Sequence, residues 1–221
     1  MTTATTTLTE AIAQYKAQFR QKVAEPIQST MATATQNLID SGITHKTLKE
    51  GETLPGILLP NATGQSIAIH DLLQSGPVVI SFYRGGWCPY CNLELKALQD
   101  KLPEFKALGA QLVAISPETP DTSLSTAEKN ELDFQVLSDV GNHVAKSLGL
   151  VFTLPEELRP IYSQFGIDIP AHNGDTTFEL PIPATYVIAA DGTVALAFAD
   201  PDYTQRLDPS KIVDALKQLA A

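Results

Sequence analysis

The chain has only two cysteines, Cys88 and Cys91, set three positions apart in FYRGGWCPYC, residues 82–91. A zinc site needs a second pair of sulfur or nitrogen ligands, yet His45, His70, His143 and His172 are scattered singly. A structural disulfide across a two-residue gap closes almost no chain and so constrains the unfolded state little. A pair of inert buried thiols is the bland alternative, because free cysteine often serves as a small apolar filler. Position favours reaction instead. The pair directly follows the apolar run PVVISFY, residues 77–83, where a buried strand is expected to end and a helix to begin. That edge of an alternating fold is where ligands usually sit. Free N–H groups and the positive end of the helix dipole stabilise a thiolate there, and Arg84 adds a nearby cation. In C-x-x-C settings the thiol pKa can drop from about 8.5 towards 7 or below. The second sulfur lies within one helical turn, so an oxidised or mixed-disulfide intermediate can be resolved internally.

The elements that must hold these sulfurs are legible as alternating patterns. Residues 1–7 form a Thr/Ala string expected to be disordered. Ile12, Tyr15, Phe19 and Val23 then fit one helical stripe, Pro26 breaks it, and Ile27, Met31 and Leu38 resume it in a second helix ending at Gly42. After a linker, GILLPNATGQSIAI reads as a hairpin turning at Thr63-Gly64. PVVISFY reads as a central buried strand, and Leu95, Leu98, Leu102 and Phe105 as a helix kinked at Pro103 and ended by Gly109. AQLVAIS, residues 110–116, completes a strand-helix-strand unit. STAEKNEL is helical, FQVLSD a strand and GNHVAKSLGL a helix; an irregular segment from Val151 to Glu179 interrupts the pattern as an insertion would. ATYVIAADGTVALAF is a hairpin turning at Asp191-Gly192, and PSKIVDALKQL a closing helix. The expected organisation is α/β, with an N-terminal helical extension over residues 1–47 and a redox domain over 48–221.

Composition narrows the function. The 221 residues are 43% hydrophobic and 18% charged, as in folded globular proteins, and no apolar stretch approaches the roughly 20 residues of a membrane span. A net charge of −10 without clustered Lys and Arg argues against nucleic acid. No basic-then-apolar leader opens the sequence, so a cytoplasmic location is expected. No motif calls for flavin, nicotinamide, haem or metal, and RGGW lacks a phosphate-binding pattern. With no expected cofactor, reducing power comes from outside.

The segment from ETLPGILLPNATGQ through VVISFYRGGWCPYCNLEL, with LVAISPETP, FQVLSDVGNHVAKSLGL and PATYVIAADGTVALAF, resembles the alkyl hydroperoxide reductase/thiol-specific antioxidant family, the peroxiredoxins and their relatives. The likeness covers roughly residues 48–219 and implies a thioredoxin fold in its peroxiredoxin-like variant. It places Cys91 at the peroxide-attacking position of the family's Pro-x-x-x-Thr/Ser-x-x-Cys motif. Cys88 then replaces the Thr or Ser and Arg84 the Pro, and Pro183 falls where the family's Arg arrives from a later strand. Pro183 instead resembles the cis proline that faces the cysteines of thioredoxins, and Cys-Pro-Tyr-Cys is the glutaredoxin form of C-x-x-C. The scaffold therefore resembles one class and the active site another.

Two mechanisms follow from the resemblance. In the first, Cys91 reduces hydrogen peroxide or an organic hydroperoxide, condenses with Cys88, and the disulfide is reduced by thioredoxin or another dithiol, with Arg84 replacing the missing arginine. In the second, Cys88 attacks a protein or glutathione disulfide and Cys91 resolves it. A redox-switch binding protein is a third alternative. Trp87, Pro89, Tyr90 and Pro183 are expected as site walls, Gly85 and Gly86 as the residues that permit the bend, and Glu118 and Asp139 as turn and cap residues. The apolar stripe of the N-terminal helices must bury against the chain's own domain, across its active site, or against a partner subunit in a homodimer.

Overall fold

The computed structural model describes residues 6–220. The chain opens with helices α1 (Leu8–Lys22) and α2 (Glu25–Asp40). Thr7 accepts from the Glu10 N–H while the Glu10 carboxylate accepts from the Thr7 N–H, a reciprocal cap that starts α1. The expected disorder therefore stops short of Thr7; its first five residues lie outside the described chain. Pro26 sits in the first turn of α2, where its missing N–H is not needed, and Gly42 ends the pair in the left-handed region.

Strands β1 (Leu58–Pro60) and β2 (Ser66–Ala68) form the expected hairpin, leading into the short helix α3 (Ile69–Leu73). The alternating unit follows: β3 (Val78–Phe82), α4 (Pro89–Ala107), β4 (Gln111–Ser116), α5 (Pro120–Lys129), β5 (Gln135–Ser138) and α6 (His143–Ser147). Helix α4 continues through Pro103 for another turn. The segment from Val151 to Glu179, which the sequence marks as irregular, contains β6 (Val151–Thr153), α7 (Arg159–Gln164) and α8 (Ile169–Asn173). It closes where β7 (Glu179–Pro181) pairs with β6. Last come β8 (Ala184–Ile188), β9 (Val194–Ala199) and α9 (Pro209–Leu219).

The main sheet has the order β5-β4-β3-β8-β9, with β3, β4 and β5 parallel and β8 and β9 antiparallel to their neighbours. β3 is its middle strand, and every residue of it is buried. Because successive side chains point to opposite faces, Val78, Ile80 and Phe82 pack with Ile115, Leu137, Tyr186 and Ile188 on one side. Val79 joins Leu98, Phe105, Ile212 and Leu216 under α4 and α9 on the other. Each such aliphatic side chain contributes about 1.5–3 kcal/mol on burial. The end of β3, from which the chain turns to the cysteines, is thus fixed from both faces.

The stripe of α1 and α2 is used within the chain. Leu8 and Ile12 join the cluster that includes Cys88, Tyr90 and Cys91, while Met31 and Ala34 pack on Leu154, Leu158 and Tyr162 of the inserted segment.

Candidate active site

β3 delivers Phe82 to the sheet edge, and seven residues later α4 begins at Pro89 with Cys88 as its N-cap. Cys88 has extended backbone angles and makes no side-chain capping hydrogen bond; as the N-cap, its sulfur stands at the positive end of α4. The intervening bend needs glycine twice. Gly85 has φ +147°, and a Cβ there would lie 2.3 Å from Trp87 Nε1; a Cβ on Gly86 would lie 2.1 Å from Thr126 Oγ1. The Gly86 N–H donates to Glu118 Oε2 at 2.9 Å, and Asn92 Nδ2 donates to the Gly86 carbonyl at 2.8 Å.

Glu118 is therefore the residue that anchors the loop, and Asp139 caps α6 by accepting from the Val144 and Ala145 N–H groups. His172 reaches Glu118, 3.2 Å from Oε1, and His143 is exposed.

Arg84, Trp87, Cys88, Pro89 and Tyr90 all line one cavity of about 350 Å³. Its opposite wall is the N-terminal arm: Tyr15 stands edge-on to Tyr90 with centroids 5.1 Å apart, and Phe19 and Met31 continue the wall. Cys91 is fully buried behind Cys88. Pro183 departs from expectation in two ways. No described peptide bond is cis, and Pro183 lines a neighbouring apolar cavity of about 220 Å³ that shares Arg84, Tyr162 and Tyr203 with the first. It enters β8 as an ordinary trans proline, the form most X-Pro bonds take.

The Arg84 guanidinium is only 2% exposed and sits among three rings: its Cζ is 4.5 Å from the Tyr203 centroid, 5.0 Å from Trp87 and 5.6 Å from Tyr162. One terminal nitrogen lies 4.0 Å from the Cys88 sulfur and the other donates to the Tyr162 hydroxyl. A second guanidinium, which the sequence did not reveal, comes from the loop before α9. Arg206 Nη2 is 3.2 Å from the Cys91 sulfur, Nε is 2.5 Å from Glu94 Oε2, and Nη1 donates to the Tyr203 and Gln205 carbonyls.

The interaction between the two thiols, more than these charges, divides them. Burial alone would raise Cys88, but a hydrogen bond from Cys91, then Arg84, then Arg206 outweigh it and bring the pKa down to about 5. Cys91 is pushed well above its ordinary value by burial and by the bond to, and charge of, Cys88. Arg206 is nearer to Cys91 than Arg84 is to Cys88, yet its charge is engaged by Glu94. Burial lifts that carboxyl to about 7 against the opposing pull of Arg206. The directions therefore favour Cys88 over Cys91 as the sulfur that ionises.

Glu94 was discoverable, as a carboxylate three residues beyond Cys91 on the buried stripe of α4. Arg206, Tyr162 and Tyr203 come from loops and the inserted segment, and nothing in their local sequence marks them.

A dithiol centre at the carboxyl edge of a mixed sheet, with a guanidinium beside each sulfur, defines a thiol oxidoreductase. Residues 51–197 match the model of the AhpC/TSA family. The chain is 29% identical over 196 residues to the chloroplastic peroxiredoxin Q of Sedum lineare, covering 89% of this chain and 88% of that one. Over 103 residues it is 31% identical to peroxiredoxin Bcp of Escherichia coli (strain K12), covering 47% of this chain and 65% of the relative. The crystal structure of peroxidoxin BcpB from Mycobacterium tuberculosis superposes with a TM-score of 0.61 at 25% identity, over 77% of this chain and 97% of that one. The chain belongs to the AhpC/TSA family and has the thioredoxin fold of its peroxiredoxins. It is a thiol-dependent peroxidase, an oxidoreductase.

Proposed function

We propose that Cys88, rather than Cys91, is the peroxide-attacking sulfur. The observation that carries this is its position: Cys88 is the sulfur that lines the cavity, and it is the one held as a thiolate, the attacking form. The thiolate attacks the terminal oxygen of a hydroperoxide, the S–O bond forms as the O–O bond breaks, and a sulfenic acid and an alcohol or water result. Cys88 is then neutral. The charge and the hydrogen-bond acceptor that kept Cys91 protonated are gone, and Arg206 at 3.2 Å favours the Cys91 thiolate. Cys91 attacks the sulfenic sulfur, water leaves, and a Cys88–Cys91 disulfide forms within one turn of α4. Thioredoxin or another dithiol returns it to the reduced state.

The alternative of a disulfide reductase draws on the same lowered Cys88 pKa. Enclosure favours the peroxide: Cys88 is 1% exposed under an aromatic arm, so a two-oxygen substrate fits where a protein disulfide does not. Reduction by a protein dithiol requires the Tyr15–Tyr90 contact to open. The test is consumption of hydrogen peroxide and tert-butyl hydroperoxide by the protein with thioredoxin and its reductase, beside reduction of a glutathione mixed disulfide. Peroxide reaction orders of magnitude above that of a free thiol supports the proposal. Peroxide reaction no faster than a free thiol, with efficient disulfide reduction, overturns it.

A further inference from the structure

The inserted segment brings Tyr162 into the Cys88 cavity and onto Arg84, and we propose that its hydroxyl is the proton donor to the departing oxygen; this rests on Cys88 being the attacking sulfur. Tyr162 is buried and lines the same cavity as Cys88 and Arg84. Its ring is fixed between Trp87, 5.8 Å away centroid to centroid, and the Met31–Leu158–Ile169 cluster. Its oxygen accepts from Arg84. The phenolic proton is donated to no group among the described residues, and so stays available to a substrate.

The two ends of one guanidinium set the geometry. One terminal nitrogen lies 4.0 Å from the Cys88 sulfur and the other donates to the Tyr162 oxygen, so sulfur and phenol stand at the two terminal nitrogens of one guanidinium. A hydroperoxide lying across it presents its terminal oxygen to the sulfur and its inner oxygen to the phenol. Tyr203 meets the same guanidinium with its ring face, at 4.5 Å, and its hydroxyl takes no hydrogen bond from Arg84. The assignment therefore falls on Tyr162.

The step balances without a further reagent. The Cys88 thiolate bonds to the terminal oxygen of ROOH, the O–O pair leaves with the inner oxygen, and Cys88 becomes a sulfenic acid. The nascent alkoxide takes the Tyr162 proton and departs as ROH. The phenolate, paired with the Arg84 guanidinium, regains a proton from solvent. A positioned acid of this kind contributes about a hundred- to ten-thousandfold.

The test is made in the Cys91→Ser background, where Cys88 is the sole sulfur, by comparing tert-butyl hydroperoxide with peracetic acid in the presence and absence of Tyr162→Phe. Acetate leaves without needing a proton, whereas tert-butoxide does not. The expected result is a fall of about a hundredfold or more with the alkyl hydroperoxide, a change of less than about threefold with the peracid, and an unaltered pH midpoint for iodoacetamide modification of Cys88. Equal losses with both oxidants overturn the donor role, as does no loss with either. A raised iodoacetamide midpoint with equal losses also overturns it, assigning the phenol to holding Arg84. A Cys91→Ser background that reacts rapidly with neither oxidant, before Tyr162 is altered, refutes the assignment of Cys88 instead.

Discussion

Replacing Arg84 by Gln tests the electrostatic basis of the site. The guanidinium nitrogen lies 4.0 Å from the Cys88 sulfur, and both groups are buried. At that separation an opposite charge is worth about 4 kcal/mol in an effective dielectric of about 20, or about three pKa units at 1.36 kcal/mol each. Cys88, held at about 5 in the native protein, should move to about 8. The thiolate fraction at pH 7 then drops from about 99% to about 10%, and at pH 6 from about 90% to about 1%. The assay is the pH dependence of iodoacetamide modification of Cys88, followed by mass spectrometry on reduced protein. The native rate should be level from pH 8 to 6 and halve near pH 5, while the variant should lose about tenfold at pH 7 and about a hundredfold at pH 6. A midpoint that stays within a unit of 5 would refute the reasoning, and would assign the thiolate to the Cys91 hydrogen bond and the helix terminus.

Three further outcomes follow from the same structure. In reduced protein Glu94 and Cys88 act in opposite directions on stability. The Glu94 pKa of about 7 lies above its unfolded value, so its contribution falls as pH rises towards 7. The Cys88 pKa of about 5 lies below its unfolded value, so its contribution is present above that unfolded value and lost as pH falls towards 5. Between pH 5 and 7, urea unfolding should show Glu94→Gln gaining and Cys88→Ser losing stability with rising pH, by at most about 1.4 kcal/mol per pH unit; the same slope in both variants contradicts this. Gly86→Ala should cost about 1–3 kcal/mol, because its Cβ meets Thr126 Oγ1 at 2.1 Å. Thr126→Ala in the same chain should recover most of that loss in denaturant titration. Tyr15→Ala removes the edge contact to Tyr90 and should speed attack of a bulky aromatic disulfide reagent on Cys88 by roughly tenfold, with iodoacetamide changed less than twofold; equal responses to both would show that the arm does not gate the cavity.

What the sequence discloses depends on whether a residue's role is local. The sheet was legible because PVVISFY and AQLVAIS are apolar runs of strand length, and the turns because glycine marks Thr63-Gly64 and Asp191-Gly192. Cys88, Cys91, Arg84, Trp87, Pro89 and Tyr90 occupy one stretch, and the turn that joins strand to helix brings them to one place. Tyr162 and Arg206 reach the cysteines only through tertiary folding, from 71 or more residues away in sequence, and no periodicity or spacing marks them. Pro183 lines a second cavity that shares Arg84, Tyr162 and Tyr203 with the first, a placement that depends on tertiary folding. The resemblance that placed Cys91 at the attacking position carried no information on which sulfur lines the cavity, and Cys88 is the one that does. The N-terminal stripe was legible, but its partner was not, since the surface it covers is assembled from α4 and the inserted segment.

The most direct test of the account uses the sole tryptophan, Trp87, which adjoins Cys88. Reduced protein is mixed with hydrogen peroxide in a stopped-flow instrument, and Trp87 fluorescence is followed in the native chain, Cys88→Ser and Cys91→Ser. The account predicts a fast phase, orders of magnitude above a free thiol's rate, that survives in Cys91→Ser and vanishes in Cys88→Ser. A fast phase that survives in Cys88→Ser and vanishes in Cys91→Ser would contradict it.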